Sequence, residues 1–178
     1  MRIIAGSAKG RRLDAPKTGT RPMTGRVRES IFSILAQRVR DARILDLYAG
    51  TGSLGLEAIS RGAAEVIFVE SGRQAAVILE QNIDRVGLGG RIRRGAVRPF
   101  LRTATAQYDV VFVDPPYCDD DQEVKRVLEL IEPVLAPDGM VVLHRQARSD
   151  VPPPDFLHTV DERRYGDAVV TMMERSQV

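Results

Sequence analysis

Between residues 42 and 144 one pattern repeats: a short, nearly unbroken apolar run, then a stretch of helical character. The runs are ARILDLY (42–48), AEVIFVE (64–70), a weaker RIRRGAV (91–97), YDVVFVDPPY (108–117) and GMVVLH (139–144). Strands that are apolar on both sides need cover on both faces, and intervening helices supply it. The pattern therefore predicts an α/β fold with a mostly parallel sheet sandwiched between helices. Helices are read at LGLEAISRG (54–62), stopped by Gly62; in the segment running to Val86; at VRPFLRTA (97–104); and from Gln122 to Leu135. The end of the chain departs from the pattern. FLHTVDERRY and DAVVTMMER are strand-like runs joined at Gly166-Asp167, which predicts an antiparallel hairpin, and Pro152–Pro154 form the irregular connector that leads into it.

The start of the chain reads differently. Ile3 and Ile4, a turn around Ser7–Gly10, and Arg11–Leu13 predict a short hairpin, and Pro16–Pro22 a loop. Thr24 is placed to cap a helix whose apolar positions Val27, Ile31, Ile34 and Leu35 share one face. Arg26, Arg28, Arg38 and Arg40 lie largely off that stripe and should carry positive charge outside it. Residues 1–40 hold ten Lys/Arg against Asp14 and Glu29, a balance of +8. The other 138 residues hold 16 Lys/Arg and 22 acids, a balance of −6. Such a split suggests a basic arm facing a polyanion, attached to a body with another task. We divide the chain into an arm at 1–22 and a catalytic domain at 23–178, since 178 residues suit one core.

Composition narrows the classes. A hydrophobic share of 43% with 28% charged residues is that of a soluble globular protein, and no apolar run approaches the roughly 20 residues that span a bilayer. The N-terminus lacks the apolar stretch of a signal peptide. Cys118 is the single cysteine, so no internal disulfide is possible, and His144 and His158 have no recognisable partner. No metal is expected, both histidines are read as structural or surface residues, and a reducing, cytoplasmic setting follows.

DLYAGTGSLG (46–55) follows the first run and opens a helix. Gly50, Gly52 and Gly55 match G-x-G-x-x-G, so a dinucleotide such as NAD must be considered, and Glu70 at the end of the next run suits a ribose hydroxyl pair for either ligand. Asp46 favours another ligand. A pyrophosphate at this helix N-terminus would have a carboxylate beside it, and like charges repel. S-adenosylmethionine carries no phosphate; it offers a sulfonium and an ammonium, for which a nearby carboxylate is favourable.

Asp114-Pro115-Pro116-Tyr117 ends the fourth run abruptly. Two prolines make a stiff corner, and in a doubly wound sheet it lies at the carboxyl edge where ligands bind. The amino group of a nucleic-acid base is a poor nucleophile because its lone pair is delocalised into the ring. The Asp114 carboxylate and the Pro115 carbonyl can accept hydrogen bonds from its two N–H groups and favour pyramidal nitrogen as the methyl arrives. Tyr117 can stack on an unstacked base. Cys118 is a spectator, because amino methylation needs no covalent enzyme intermediate.

Together these residues resemble the bacterial family of 16S ribosomal RNA guanine N2-methyltransferases. The resemblance runs through MRIIAGSAKGRRL, RPMTGRVRESIFSIL (21–35), DLYAGTGSLGLEAISRGA (46–63), VIFVE (66–70) and VDPPY (113–117). It implies a Rossmann-like class I methyltransferase with a seven-stranded sheet, a C-terminal antiparallel hairpin and an N-terminal β-hairpin. It also implies a guanine of the small ribosomal subunit as substrate, with Arg21, Pro22 and Thr24 near the active site and Asp114–Tyr117 receiving the base. The expected donor-binding set is Asp46, Tyr48, Ala49, Gly50, Thr51, Gly52, Gly55, Glu70, Ser71, Ala96, Val97 and Asp114. The expected catalytic set is Asp114, Pro115, Pro116 and Tyr117. Lys9, Arg11, Arg12, Arg21, Thr24, Arg26, Arg28 and Tyr117 are the expected RNA contacts, and a monomer is expected. Met23, Gly25, Gly95 before Ala96, and His144-Arg145 depart from the family's usual residues, and all are read as lying away from the reaction centre. Alternatives are DNA adenine or cytosine amino methylation, for which the chain has little room to read sequence; protein glutamine methylation; and a non-catalytic RNA-binding assembly factor.

Overall fold

A computed structural model describes residues 1–16 and 23–176, so Arg21 and Pro22 lie outside the described residues. Seven strands form one sheet: β1 Arg43–Leu47, β2 Glu65–Glu70, β3 Arg91–Arg94, β4 Tyr108–Val113, β5 Leu135–Gln146, β6 Leu157–Tyr165 and β7 Ala168–Arg175. Among the described residues five α-helices accompany them: α1 Gly25–Leu35, α2 Ser53–Ser60, α3 Arg73–Val86, α4 Val97–Thr103 and α5 Asp121–Glu129. The strand order is β3-β2-β1-β4-β5-β7-β6, parallel through β5, with β7 antiparallel to both its neighbours. The order reverses between β1 and β4, which opens a crevice at their carboxyl ends.

Alternate residues of each strand feed two cores. Ile44, Phe68, Phe112 and Val142 pack with α1 and α2, where Phe32 tilts against Phe112 at 5.8 Å. Leu45, Val69, Val113 and Leu143 pack with α4 and α5 on the other face. Thr24 caps α1 as expected, its hydroxyl accepting from the Val27 N–H at 3.3 Å. The helix expected over 122–135 is shorter. It ends at Glu129 and gives way to a 3-10 turn at Glu132–Val134, because Pro133 has no N–H for the Glu129 carbonyl and its ring crowds that group. The start of the chain forms a hairpin-like turn with a single antiparallel bridge, Arg2 to Arg12, rather than two strands. Ile3, Ala8 and Leu13 sink from it into the α1–α2 core. Among the described residues no helix is long and apolar enough to cross a membrane.

Arg28 corrects the expectation of a wholly external basic face. It is 2% exposed, ion-paired with Glu57 of α2 at 3.8 Å, and donates to the Arg2 carbonyl at 2.6 Å and the Met1 sulfur at 2.9 Å. A buried carboxylate one helix away drew it inward, and it has no access to an RNA phosphate. Arg26, two positions earlier, is exposed.

Candidate active site

The crevice is built from three strand ends. Asp46 sits near the end of β1, level with Phe68 on β2 and Phe112 on β4. It shares strand parity with Ile44 and so faces α2, where its carboxylate accepts from the Gly55 N–H at 2.9 Å. It is 1% exposed. Burial pushes its carboxyl well above the ordinary value; the Gly55 bond draws it back in part, and the charges of Asp114 and Glu70 raise it further.

The chain between β1 and α2 turns with positive φ at Tyr48, Gly50 and Gly52. Glu70 holds this turn from β2, accepting from the Gly50 N–H at 2.7 Å and from the Gly72 N–H at 2.5 Å. Gly55 has a separate reason to be glycine. A Cβ there would come within 2.3 Å of the Phe68 ring, so its absence lets α2 lie close on β2. Tyr48 is half-buried, and its hydroxyl is pushed up to about 12, first by burial and then by the charges of Asp119 and Glu123. Thr51 is buried and its carbonyl accepts from Asn82 of α3 at 3.0 Å. Ser71 and Ala96 are exposed, Val97 is buried, and Ala96 lines a cleft of about 900 Å³ between α3 and α4.

Val113 closes β4 opposite Leu47 on one side and Leu143 on the other, so the corner at 114–117 emerges beside the glycine turn. Asp46, the glycine turn, Glu70 and Asp114 thus meet at one crevice, while Ala96 lines the α3–α4 cleft. Pro115 is buried, Pro116 exposed, and Tyr117 is 41% exposed. Tyr117 lines a second cleft of about 670 Å³ with Met23, Thr24, His144, Tyr165 and Asp167.

Two residues of the site escaped the sequence reading. His144 is 5% exposed, and its Nδ1 lies 2.7 Å from Asp114 Oδ1. Arg145, also buried, donates to the Pro116 carbonyl at 3.3 Å, the Asp119 carbonyl at 2.8 Å and the Asp121 carboxylate at 3.2 Å. The departure at 144–145 therefore touches the corner itself, and the expectation that it lies away from the reaction centre is wrong, as is the expectation that His144 has no partner. A signal was present: when VFVD is laid beside VVLH as adjacent parallel strands ending at one edge, Asp114 and His144 become neighbours on one face.

The arm is anchored on α2 and α3, and Asp14 shares the Asn82 amide that holds Thr51. Glu57 accepts from the Ile4 and Ala5 N–H groups at 2.8 and 3.0 Å, and the Ser60 carbonyl from the Ser7 N–H at 2.8 Å. Arg11 donates to the Arg85 carbonyl at 3.2 Å and to that of Val86, closing the end of α3. A helix that follows a parallel strand runs back along it, so these helix ends lie at the amino edge of the sheet. Lys9 and Arg12 are exposed. Thr24 and Arg26 open α1 near the second cleft.

A family profile described as Conserved hypothetical protein 95 matches residues 1–174. The protein YlbH of Bacillus subtilis strain 168 is 36% identical over 98% of this chain and 92% of its own length. Ribosomal RNA small subunit methyltransferase D of Escherichia coli K12 is 41% identical over 66% of this chain, a match spanning 60% of that protein. The solved structure of Escherichia coli yhhF superposes with a TM-score of 0.89 at 32% identity, covering 98% of this chain and 97% of its own. The architecture is that of class I S-adenosylmethionine-dependent methyltransferases.

Proposed function

The chain belongs to the Conserved hypothetical protein 95 family, and on that premise we propose that it transfers a methyl group from S-adenosylmethionine to the exocyclic N2 amino group of a guanine in 16S ribosomal RNA of the small ribosomal subunit. The observation that carries the reading is the placement of Asp114 at the carboxyl edge of β4, between the glycine turn and the Tyr117 cleft. The name of the Escherichia coli relative supports the substrate class.

The residues present fit the donor. Asp46 is a buried carboxylate with one backbone N–H and two acidic neighbours, an environment that a cation relieves and a phosphate worsens. S-adenosylmethionine supplies a methyl group activated by its sulfonium. The open backbone of Gly50 and Gly52 admits the amino-acid end, with Tyr48, Ala49 and Thr51 shaping the turn. Glu70 and Ser71 face the ribose, and Ala96 and Val97 wall the adenine. Asp114 and the Pro115 carbonyl accept the two N–H bonds of the amine, and Pro116 stiffens the bend that holds both acceptors still. Positive charge grows on nitrogen during transfer, so these fixed dipoles lower the barrier more than they strengthen substrate binding. Tyr117 stacks on the extruded base, and Thr24 and Arg26 flank it. Lys9, Arg11 and Arg12 hold phosphates of nucleotides farther along the RNA, which positions the substrate without selecting the base.

Asp114→Ala should slow transfer at least about 100-fold while donor affinity stays within about 3-fold. The measurement is tritium transfer to small subunits and to free 16S RNA, with mass mapping of the modified nucleotide. Near-normal turnover would refute the role of Asp114, and methyl found on adenine or on DNA would refute the guanine assignment.

A further inference from the structure

We propose that His144 is a positioning residue for methyl transfer: it sets the rotation of the Asp114 carboxylate so that one oxygen is held and the other is presented to the amine. The inference rests on the proposed role of Asp114. It starts from backbone placement. β5 is paired on both sides, with Leu143 opposite Val113 of β4 and His144 opposite Val170 of β7. The His144 backbone is therefore fixed in the β7 ladder, one residue past the last β4 pair, while Asp114 is the first residue beyond the end of β4. His144 shares strand parity with Val142, which faces α1, and the next position after Val113 turns Asp114 toward the same side. Register alone brings the two side chains together, at 2.7 Å.

The chemistry of that contact is directional. An ionised carboxylate only accepts, so the proton in the bond belongs to Nδ1 of His144. Oδ1 is thereby occupied, and the carboxylate plane is defined for Oδ2. Without the imidazole, Asp114 at the end of a strand could rotate about its side-chain bonds and offer either oxygen in several directions. A fixed acceptor needs no reorganisation as charge develops on the amine, whereas a rotating one must be ordered at that moment. Arg145, the next residue, holds the far end of the same bend through the Pro116 and Asp119 carbonyls, so β5 grips both ends of the corner. His144 also lines the Tyr117 cleft, with the two rings 6.4 Å apart between centroids.

Two readouts on the full chain test this, one of them independent of turnover. The protein has two histidines, so nitrogen-15 NMR of histidine-labelled protein gives two imidazoles, with His158 as the internal control. The expected result is a proton on Nδ1 of His144 that is lost or moved in Asp114→Ala, while His158 is unchanged. A His144 protonated on Nε2 alone, or one indifferent to Asp114→Ala, overturns the proposal. In turnover, His144→Leu and His144→Gln should lower kcat about 10- to 100-fold, the size expected for a hydrogen bond to a charged group. KM for the small subunit and the dissociation constant for S-adenosylhomocysteine should stay within about 3-fold. His144→Asn puts its amide nitrogen near the position of Nδ1 and should recover most of the rate. Asn as slow as Leu, or Leu as fast as wild type, overturns the proposal; a Leu variant that fails to fold leaves Gln and Asn to decide. If wild-type protein methylates no ribosomal RNA, the proposed function fails, and the NMR readout still judges His144.

Discussion

Two carboxylates are buried on the same side of the sheet, and their surroundings are opposite. Glu57, 0% exposed, meets two backbone N–H groups from the arm, the Arg61 guanidinium at 2.8 Å and that of Arg28 at 3.8 Å. Asp46 has one backbone N–H, from Gly55, and two acidic neighbours, Asp114 and Glu70. A buried charge is tolerable when it is compensated on every side, and Glu57 is; it joins α1, α2 and the arm. Asp46 is compensated on one side only, and the protein holds it that way next to a glycine turn. The first arrangement is what a fold does with a charge for its own sake. The second is what a site does when the missing countercharge arrives with a ligand.

The largest effect should come from breaking the compensated member. Glu57→Ala leaves Arg28 buried without its ion pair and frees two arm N–H groups, so stability should fall by about 3–5 kcal/mol in thermal or urea denaturation. A loss below about 1 kcal/mol would show that Glu57 is not the junction its contacts suggest.

Asp46→Asn should act on binding instead. The amide can still accept from the Gly55 N–H but carries no charge, so donor affinity should fall about 10- to 100-fold, or about 1.4–2.8 kcal/mol. Stability without donor should rise. The carboxyl is raised in the folded protein and ordinary in the unfolded chain, so between those values the native state holds the extra proton. Its contribution to stability is therefore full at low pH and declines as pH rises through the raised value. A donor ammonium favours the ionised form. Binding should thus release a proton below the raised value and tighten as pH increases, which calorimetry in two buffers of different ionisation heat detects. Unchanged affinity in the Asn variant, or no proton release anywhere between about pH 4 and 8, would remove Asp46 from the donor site.

The smallest effect should come from the charges that the Glu57 junction presents to solvent. Lys9→Glu combined with Arg12→Glu should raise KM for the small subunit several-fold and flatten its salt dependence, with kcat and stability little changed. An unaltered salt dependence would mean that the arm is held in place for some purpose other than RNA.

Much of the architecture was legible because it is local. Short apolar runs and period-3.6 patterns placed every strand and most helix boundaries, Thr24 marked the start of α1, and Gly166-Asp167 marked the hairpin between β6 and β7. The glycine turn and the Asp114 corner were legible for the same reason, since each is a short run of special backbone at a strand end. The arm's chain reversal was legible, but the two hairpin strands expected there reduce to one bridge, and its attachment to the ends of α2 and α3 was not legible, because nothing local in residues 1–13 names those helices. Arg28 was misread because helical spacing reports which face a residue occupies and says nothing of a countercharge waiting on α2.

By itself the sequence determined the order of strands and helices, the stiff bend at 114–117 and the excess of positive charge at the start of the chain. These depend on side-chain periodicity, turn residues and composition, which act over a few neighbours. Tertiary structure alone decided which charges are compensated and which are left facing one another: Glu57 among cations, Asp46 among acids, and His144 against Asp114. Such pairings join residues tens of positions apart, and they are set by strand register and helix packing once two layers have closed on the sheet.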